Sequence, residues 1–479
     1  MVKTFYLTTT LPYVNAKPHV GHALENVRAD VVVRYKRSLG YDVFFNTGTD
    51  EHGQKLQDAS VLARVPVQEY VDQGSENFKK LLEKLGVTSE HYFSRTTDPS
   101  HIKGAQDFWK KVFDNGYIYK ARYQTKYCVG CELEKTDSEL ANGHCPDHPT
   151  LEIEIIDEEN YFFKFSAFQQ QLLDLYERQP EFVIPQSRMN EIKSLVSRGL
   201  KDFSVSRLKS KMSWGVPVPN DPEHVMYVWF DALVNYITAL DWPNDMEKFE
   251  KYWMKGTPLQ YCGQDNLKQQ AAIWQAMLWA AGLPGSNKII VNGFVMGEGG
   301  VKMSKTLGNV IDPLELIEKY GTDALRYYVL RHIHPLDGSP MTAASFAQAY
   351  ESHLVNGLGN LTSRLMTMAE KYLESPVDTS KITIPQEWHD HMSSYRMDLA
   401  CELVWAEIGA LDVAISETEP FKLVKIDENK AKGLLTEYIG RLSKISLMLS
   451  VLLPTTSGAI LECIKTNKKP SAPLFPKIQ

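Results

Sequence analysis

Cys128-x2-Cys131, thirteen intervening residues and then Cys145-x2-His148 bring four soft donors together in one short stretch. That ligand count and spacing match what a tetrahedral Zn2+ takes from a protein, and four protein ligands leave no coordination position open. The metal so read is structural, one per chain, and stabilises a module too small to hold a hydrophobic core of its own. His144 competes with Cys145 as the third ligand on spacing alone. A cluster of this kind has to sit among turns, so residues on either side of it must supply any larger core.

The chain offers ample length for that. At 479 residues it exceeds one ordinary core and predicts two or three domains. The other three of its six cysteines, Cys262, Cys401 and Cys463, are isolated, which fits a reducing cytoplasm rather than a secreted disulfide framework. Met1 to Val14 has no apolar signal core, and the apolar run Leu434 to Leu453 is broken by Glu437, Arg441 and Lys444, so no leader and no membrane span is expected. A net charge of −7 argues against indiscriminate coating of nucleic acid. One local exception is Lys193 to Lys211, where Lys193, Arg198, Lys201, Arg207, Lys209 and Lys211 form a basic stretch. A solvated surface and a phosphate-contacting face both satisfy that pattern.

Residues 3–9 read as a buried strand, Pro12 to Pro18 as a loop, and His19 to Leu39 as a helix from the spacing of Val20, Leu24, Val27 and Val31. A strand over Asp42 to Asn46 completes a βαβ unit, whose ligand crevice lies at the carboxyl ends of its parallel strands. Helices at 67–85 and 99–115 continue the rhythm, which breaks between 117 and 212 into Gly, Cys, His and acidic turns with a helix near Phe168 to Arg178. It resumes at Val225 to Phe230, Leu259 to Cys262 and Ile289 to Val295. The fold class is therefore α/β, a split Rossmann-like parallel sheet with an inserted metal knuckle, followed by an all-α helical bundle. The bundle is predicted from about 340 onward, where Leu354, Leu358, Leu361, Leu365, Met368 and Tyr372 alternate spacings of four and three. The Lys- and Pro-rich tail from Lys465 reads as a surface strap or a loose end.

Two further signatures suit the two ends of a nucleotide. His19 and His22 share a helix face, with Gly21 between them allowing close approach to the backbone, and a helix start favours a polyphosphate. Lys302-Met303-Ser304-Lys305 follows Gly297, Gly299 and Gly300, a loop on which two ammoniums can close over a triphosphate and balance charge on a leaving pyrophosphate. Asp50, Glu51 and His52 follow a strand and the turn residue Gly48, a place suited to holding a substrate amine or to capping the turn. Tyr227 to Asp231 with Tyr236 suits an apolar wall or plain core.

Taken in order, these segments resemble the class I aminoacyl-tRNA synthetases, and in detail the methionyl-tRNA synthetase family. The resemblance runs nearly end to end: Leu11-Pro12-Tyr13, the Gly-Thr-Asp-Glu-His-Gly stretch at 48–53, the knuckle, Trp214 to Pro217, Tyr227 to Ala232, Gly263-Gln264-Asp265, and Asn360 to Arg364. It implies a methionine pocket of Leu11, Tyr13, Asp50, Trp229, Ala232, Tyr236, Gln270 and Trp274, with Asp50 pairing with the substrate ammonium. It implies contacts to Mg-ATP from Pro12, His19, Gly21, His22, Glu25, Gly263, Asp265 and Lys305, with His19, His22, Lys302 and Lys305 as catalytic groups. Anticodon contacts to a CAU-bearing methionine tRNA fall on Asn360, Arg364 and Phe421. The implied organisation is a catalytic domain over 1–116 and 213–295, a connective insertion over 117–212, the lysine loop and stem-contact region over 296–345, and the anticodon-binding bundle over 346–479.

Several positions depart from the family pattern. Gln270 stands where a histidine commonly lines the pocket, and Phe421 replaces a usual tryptophan that stacks on the anticodon. The Asn and Tyr usual just upstream are absent in Asp412 to Ile415. The chain ends without the C-terminal dimerising domain of some members, which leads to the expectation of a monomer. A catalytically altered paralogue that binds tRNA or senses an amino acid is the alternative reading of these departures.

Overall fold

The protein is described by a computed structural model that covers residues 2–478 apart from 132, 136 and 302–309. The chain forms two compact units. One comprises Met1–Lys17, Gly40–Lys79 and Glu90–Val291; the other comprises Pro18–Leu39, Lys80–Ser89 and Asn292–Gln479.

The first unit is built on a six-stranded sheet in the spatial order Tyr92–Arg95, Asp42–Thr49, Thr4–Thr8, Pro258–Gly263, Lys288–Asn292, Val183–Ile184. Thr4–Thr8 pairs in parallel with both Asp42–Thr49 and Pro258–Gly263, and Asp42–Thr49 pairs in parallel with Tyr92–Arg95. Its central strands Thr4–Thr8 and Pro258–Gly263 are buried on both faces, so their side chains do not alternate between core and solvent. The core beside the sheet is rich in aromatics, among them Phe108, Trp109, Phe163, Phe230, Trp253 and Trp274. Each such buried side chain contributes about 1.5–3 kcal/mol.

The segment read as turns with one helix has that helix at Gln169–Arg178 and more regular structure besides. Ile118–Cys128 and Glu154–Phe163 form a long antiparallel ladder, flanked by Leu133–Lys135 and Phe203–Ser204 in a four-stranded sheet. Between those strands, Val183–Ile184 pairs in parallel with Lys288–Asn292 and so forms the edge of the main sheet. Val225 to Phe230 adds no strand to the six-stranded sheet. His224–Met226 pairs antiparallel with Ser206–Leu208, and the chain turns into a helix at Val228–Leu233. Its apolar run is too short for periodicity to separate a strand from a buried helix.

In the second unit the helix Val20–Ser38 begins with His19 as its cap and ends in Lys36 and Arg37 before Gly40, whose φ of +81° turns the chain out. Arg28 is buried and donates to Asn292 Oδ1 at 3.0 Å and to the carbonyls of Ile333, Pro335 and Val329. Asp30 pairs with the equally buried Arg326 at 2.8 Å. The predicted bundle is present as helices that include Asn360–Tyr372, Met397–Thr418, Glu428–Leu449 and Pro454–Thr466. Leu354, Leu358, Leu361, Leu365 and Met368 are all buried, as the stripe requires. One difference is that Tyr350–Gly359 winds as a π-helix rather than an α-helix. Gly359 permits it, because a Cβ there would approach the Leu354 carbonyl oxygen to 2.9 Å. The tail is a strap: Phe475 is buried edge-on against Tyr350, whose hydroxyl donates to the Pro476 carbonyl at 2.7 Å. Among the described residues no helix is long and apolar enough to cross a membrane.

Candidate active site

In the first unit the predicted pocket residues come from the carboxyl ends of parallel strands, where such sheets bind ligands. Leu11, Pro12 and Tyr13 follow Thr4–Thr8, Asp50 follows Asp42–Thr49, and Asp265 follows Pro258–Gly263. The Asp50 N–H donates to the Pro12 carbonyl at 3.0 Å, and Tyr13 and Asp50 form a parallel bridge, so the structure brings these segments together. Asp50 is buried, with the Thr96 hydroxyl 3.4 Å from its Oδ1.

The next residue anchors the turn. Glu51 is fully buried and takes a bidentate pair from Arg95, 2.8 Å to each oxygen, with the Thr49 hydroxyl at 2.6 Å. Its N–H donates to Thr96 Oγ1 at 2.8 Å, and its carbonyl accepts the Trp214 indole N–H. The hydrogen bonds to Glu51 and Asp72 hold the Arg95 guanidinium still more firmly charged against the opposing effect of burial. Neither Arg95 nor Thr96 stands out in the sequence. The partners lie 44 or more residues apart in the chain, and no local spacing announces them.

In the same unit Ala232, Tyr236, Gln270 and Trp274 are buried, and Tyr236 meets Trp274 edge-on with ring centroids 5.9 Å apart. Gln270 Nε2 donates to the Tyr236 hydroxyl at 2.6 Å, and Gln270 Oε1 accepts from Gln260 at 2.8 Å. Gln260 in turn accepts from Ser286, which also meets Gln275. The position that departs from the family pattern is thus a buried amide with both its nitrogen and its oxygen hydrogen-bonded. Such a buried group costs little while paired and much when broken. Leu11 is buried, whereas Trp229 is only partly covered, and its indole nitrogen has no hydrogen-bond partner among the described residues. A Cβ on Gly263 would stand 2.6 Å from Asp265 Oδ1, so that glycine makes room for the carboxylate. In the basic stretch Arg207 is buried between the rings of Tyr127 and Tyr227 and is no phosphate contact.

In the second unit His19 and His22 stack with ring centroids 3.8 Å apart and close a capping box. His19 Nδ1 accepts the Gly21 N–H and His22 Nδ1 accepts the His19 N–H, each at 3.1 Å. With Nδ1 accepting, the ring proton of each neutral imidazole resides on Nε2, which becomes a fixed donor. Burial, then the neighbouring His19, pushes the His22 imidazole well below its usual range, which favours its neutral form. Gly21 also has a role within the cap. A Cβ there would meet the His19 ring at 2.9 Å, so the glycine accommodates the cap itself. Glu25 stands in the second turn of this helix, half-buried. Gly299 and Gly300 adopt φ of +70° and +76°, as the glycine-rich loop leads one to expect. Lys302 and Lys305 lie outside the described residues.

The knuckle residues converge. One ligand atom from each of Cys128, Cys131, Cys145 and His148 lies within 4.8 Å of the others. Cys131 Sγ is 3.4 Å from Cys145 Sγ and 3.2 Å from His148 Nδ1. A Cβ on Gly130 would collide with the His148 ring, so this glycine shapes the cradle. His144 instead turns its Nδ1 toward the Leu151 carbonyl at 3.5 Å, and Cys145 is the third ligand of the cluster. This donor set could hold a metal ion, and a combination of three thiolate sulfurs with one imidazole nitrogen fits tetrahedral zinc.

Asn360 opens the helix Asn360–Tyr372 and is exposed, and Arg364 stands one turn along it. Arg364 Nη1 pairs with Asp412 Oδ1 at 2.8 Å. Phe421 is 43% exposed on the short helix Pro420–Leu423, a large apolar ring left open on the surface.

The family model for class I tRNA synthetases (M) matches residues 5–152 and 149–366. A methionine--tRNA ligase of Caldanaerobacter subterraneus subsp. tengcongensis is 40% identical, the alignment covering 96% of this chain and 74% of that one. A methionine--tRNA ligase of Synechocystis sp. is 38% identical, over 96% and 89%. Among solved structures, Mycobacterium tuberculosis methionyl-tRNA synthetase in complex with methionyl-adenylate superposes with a TM-score of 0.91 at 31% identity, covering 99% of this chain and 100% of that one. With the Asp50 turn, the histidine cap and the knuckle each in place, the chain belongs to the class I tRNA synthetases, in the methionine–tRNA ligase family.

Proposed function

We propose that this protein activates L-methionine with ATP, giving methionyl-adenylate and pyrophosphate, and then transfers methionine to the terminal adenosine of a CAU-anticodon tRNA. The observation that carries the reading is Asp50: a buried carboxylate at the carboxyl end of a parallel strand, anchored through its backbone and tied to the Leu11–Tyr13 segment. It would pair with the substrate ammonium. The buried aromatic wall of Tyr236 and Trp274 suits an unbranched, polarizable thioether.

The methionine carboxylate attacks the α-phosphorus, and the bond to the bridging oxygen of pyrophosphate breaks. His19 and His22 would donate Nε2–H to phosphate oxygens without adding charge, while Lys302 and Lys305 supply the cations that balance the leaving group. Magnesium bound with ATP would neutralise part of the triphosphate charge. Glu25, Gly263 and Asp265 fall to the adenosine moiety and Pro12 to its neighbourhood. In the second step the 2′-hydroxyl of the tRNA attacks the acyl carbonyl and AMP leaves. Pyrophosphate exchange into ATP, scanned across the amino acids, tests the first step: methionine alone should support it, and silence with methionine would favour the altered-paralogue reading.

Arg364, Asn360 and Phe421 would read the anticodon. Arg364→Ala should lower tRNA charging by roughly tenfold or more, the worth of a lost guanidinium contact to a base, and leave pyrophosphate exchange intact. Loss of both would make Arg364 a folding residue.

Zinc in the knuckle is the second part of the reading, supported by the donor set and by Gly130. Metal analysis should find one zinc per chain, and Cys145→Ser should release it and open 128–148 to proteolysis, since such sites draw folding energy from the metal. A metal-free protein with the same protease resistance would remove zinc from the account. We further read the protein as a cytoplasmic monomer; none of its six cysteines is in a disulfide, as a reducing compartment allows.

A further inference from the structure

Asp231 is fully buried and carries none of the roles assigned above, yet both of its oxygens are engaged. His52 Nδ1 stands 2.6 Å from its Oδ2, and His101 Nε2 stands 2.8 Å from its Oδ1. Burial alone would push its carboxyl up; the two imidazoles outweigh that and hold it at about 2. An ionised carboxylate only accepts, so both facing ring nitrogens carry protons and donate.

The three residues come from three segments around one place. His52 is two residues past Asp50 in the same turn. His101 lies in the first turn of the helix Pro99–Asp114, just beyond Thr96, whose hydroxyl meets Asp50 Oδ1 and accepts the Glu51 N–H. Asp231 is in the helix Val228–Leu233, directly before Ala232 and two residues after Trp229. The assembly is closed on its far side as well. His101 Nδ1 meets Thr238 Oγ1 at 2.8 Å, and Asn235 links the Ala232 carbonyl at 2.5 Å to Asn46 of the central sheet at 3.0 Å.

We propose that Asp231 is a positioning residue for amino-acid recognition: through His52 and His101 it fixes the turn that carries Asp50 against the helix that carries Trp229 and Ala232. The separation between the ammonium-binding carboxylate and the side-chain pocket is then set before substrate arrives, and with it the length of amino acid the site accepts. Misplacing a recognising group by about an ångström can cost on the order of 10²-fold, which is why such a brace matters. This inference rests on the reading of Asp50 as the ammonium partner.

The test uses the full chain and two ligands, L-methionine and its amine-free analogue 4-(methylthio)butanoate, with binding followed by intrinsic tryptophan fluorescence. Asp231→Asn should weaken methionine by about tenfold or more, the range of a lost charge-assisted contact, and leave the analogue unchanged. Asp50→Asn should behave the same way. His52→Ala should reproduce the selective loss, while His52→Asn, whose amide nitrogen can replace Nδ1–H, should restore methionine binding; this pair also serves if Asp231→Asn fails to fold. Equal weakening of both ligands by Asp231→Asn, or no change in either, overturns the inference while Asp50→Asn remains selective. If Asp50→Asn itself shows no selectivity, the assignment of Asp50 has failed instead.

Discussion

Asp50→Ala should raise the methionine concentration needed for pyrophosphate exchange by roughly a hundredfold or more, because leaving one partner of a buried charge pair alone costs about 3–5 kcal/mol. The physical basis is its setting. Asp50 is buried, its N–H is spent on Pro12, and the turn around it is anchored by the bidentate Glu51–Arg95 pair. Truncating the side chain leaves that anchorage intact, so the loss should appear in the methionine KM, with the ATP KM little moved. Circular dichroism of the variant should match the parent. An unchanged methionine KM would take Asp50 out of the pocket.

Lys305→Ala should act on the other substrate and at another stage. Adenylate formation, followed in a single turnover, should slow by about 10²–10³-fold, the size of effect seen when one preorganised donor to a developing charge is removed. Methionine binding at equilibrium should be nearly unaffected, since the loss falls on the transition state. Turnover at the parental rate would remove the lysine from the mechanism, and a parallel loss of methionine affinity would make it a structural residue. The two variants together separate the ammonium end of the reaction from the pyrophosphate end.

What could be read from the sequence was what is local. The strands at Thr4–Thr8 and Pro258–Gly263 are short, mostly apolar stretches, the helix after His19 carries its stripe at regular spacing, and the knuckle donors fall within a short stretch of chain. Features made by distant pairing left no such trace. Val183–Ile184 is too short to show any period. The helix Gln54–Ala63 buries only Leu56 and Ser60, so it presents no stripe to detect. The same holds at the site. Asp50 and the pocket aromatics were reachable through the family resemblance, whereas Arg95, Gln260 and the Asp231 imidazole pair act through partners up to 179 residues away. Gly21 carries a second requirement that the sequence did not announce: its lack of a Cβ leaves room for the His19 ring.

The path of the chain through residues 117–212 has a practical consequence. It leaves the parallel sheet for the antiparallel ladder, returns to lay Val183–Ile184 beside Lys288–Asn292, and goes back to add Phe203–Ser204 to the ladder. Such a double stitch cannot be cut out as a cassette. A deletion that joined 116 to 213 would strip the outermost strand from the catalytic sheet and bare the hydrogen-bonding edge of Lys288–Asn292, a surface prone to recruiting strands from other molecules. Shortening the metal-bearing segment without that penalty means trimming only the hairpin tip between Cys128 and Glu154, with the return strand left in place.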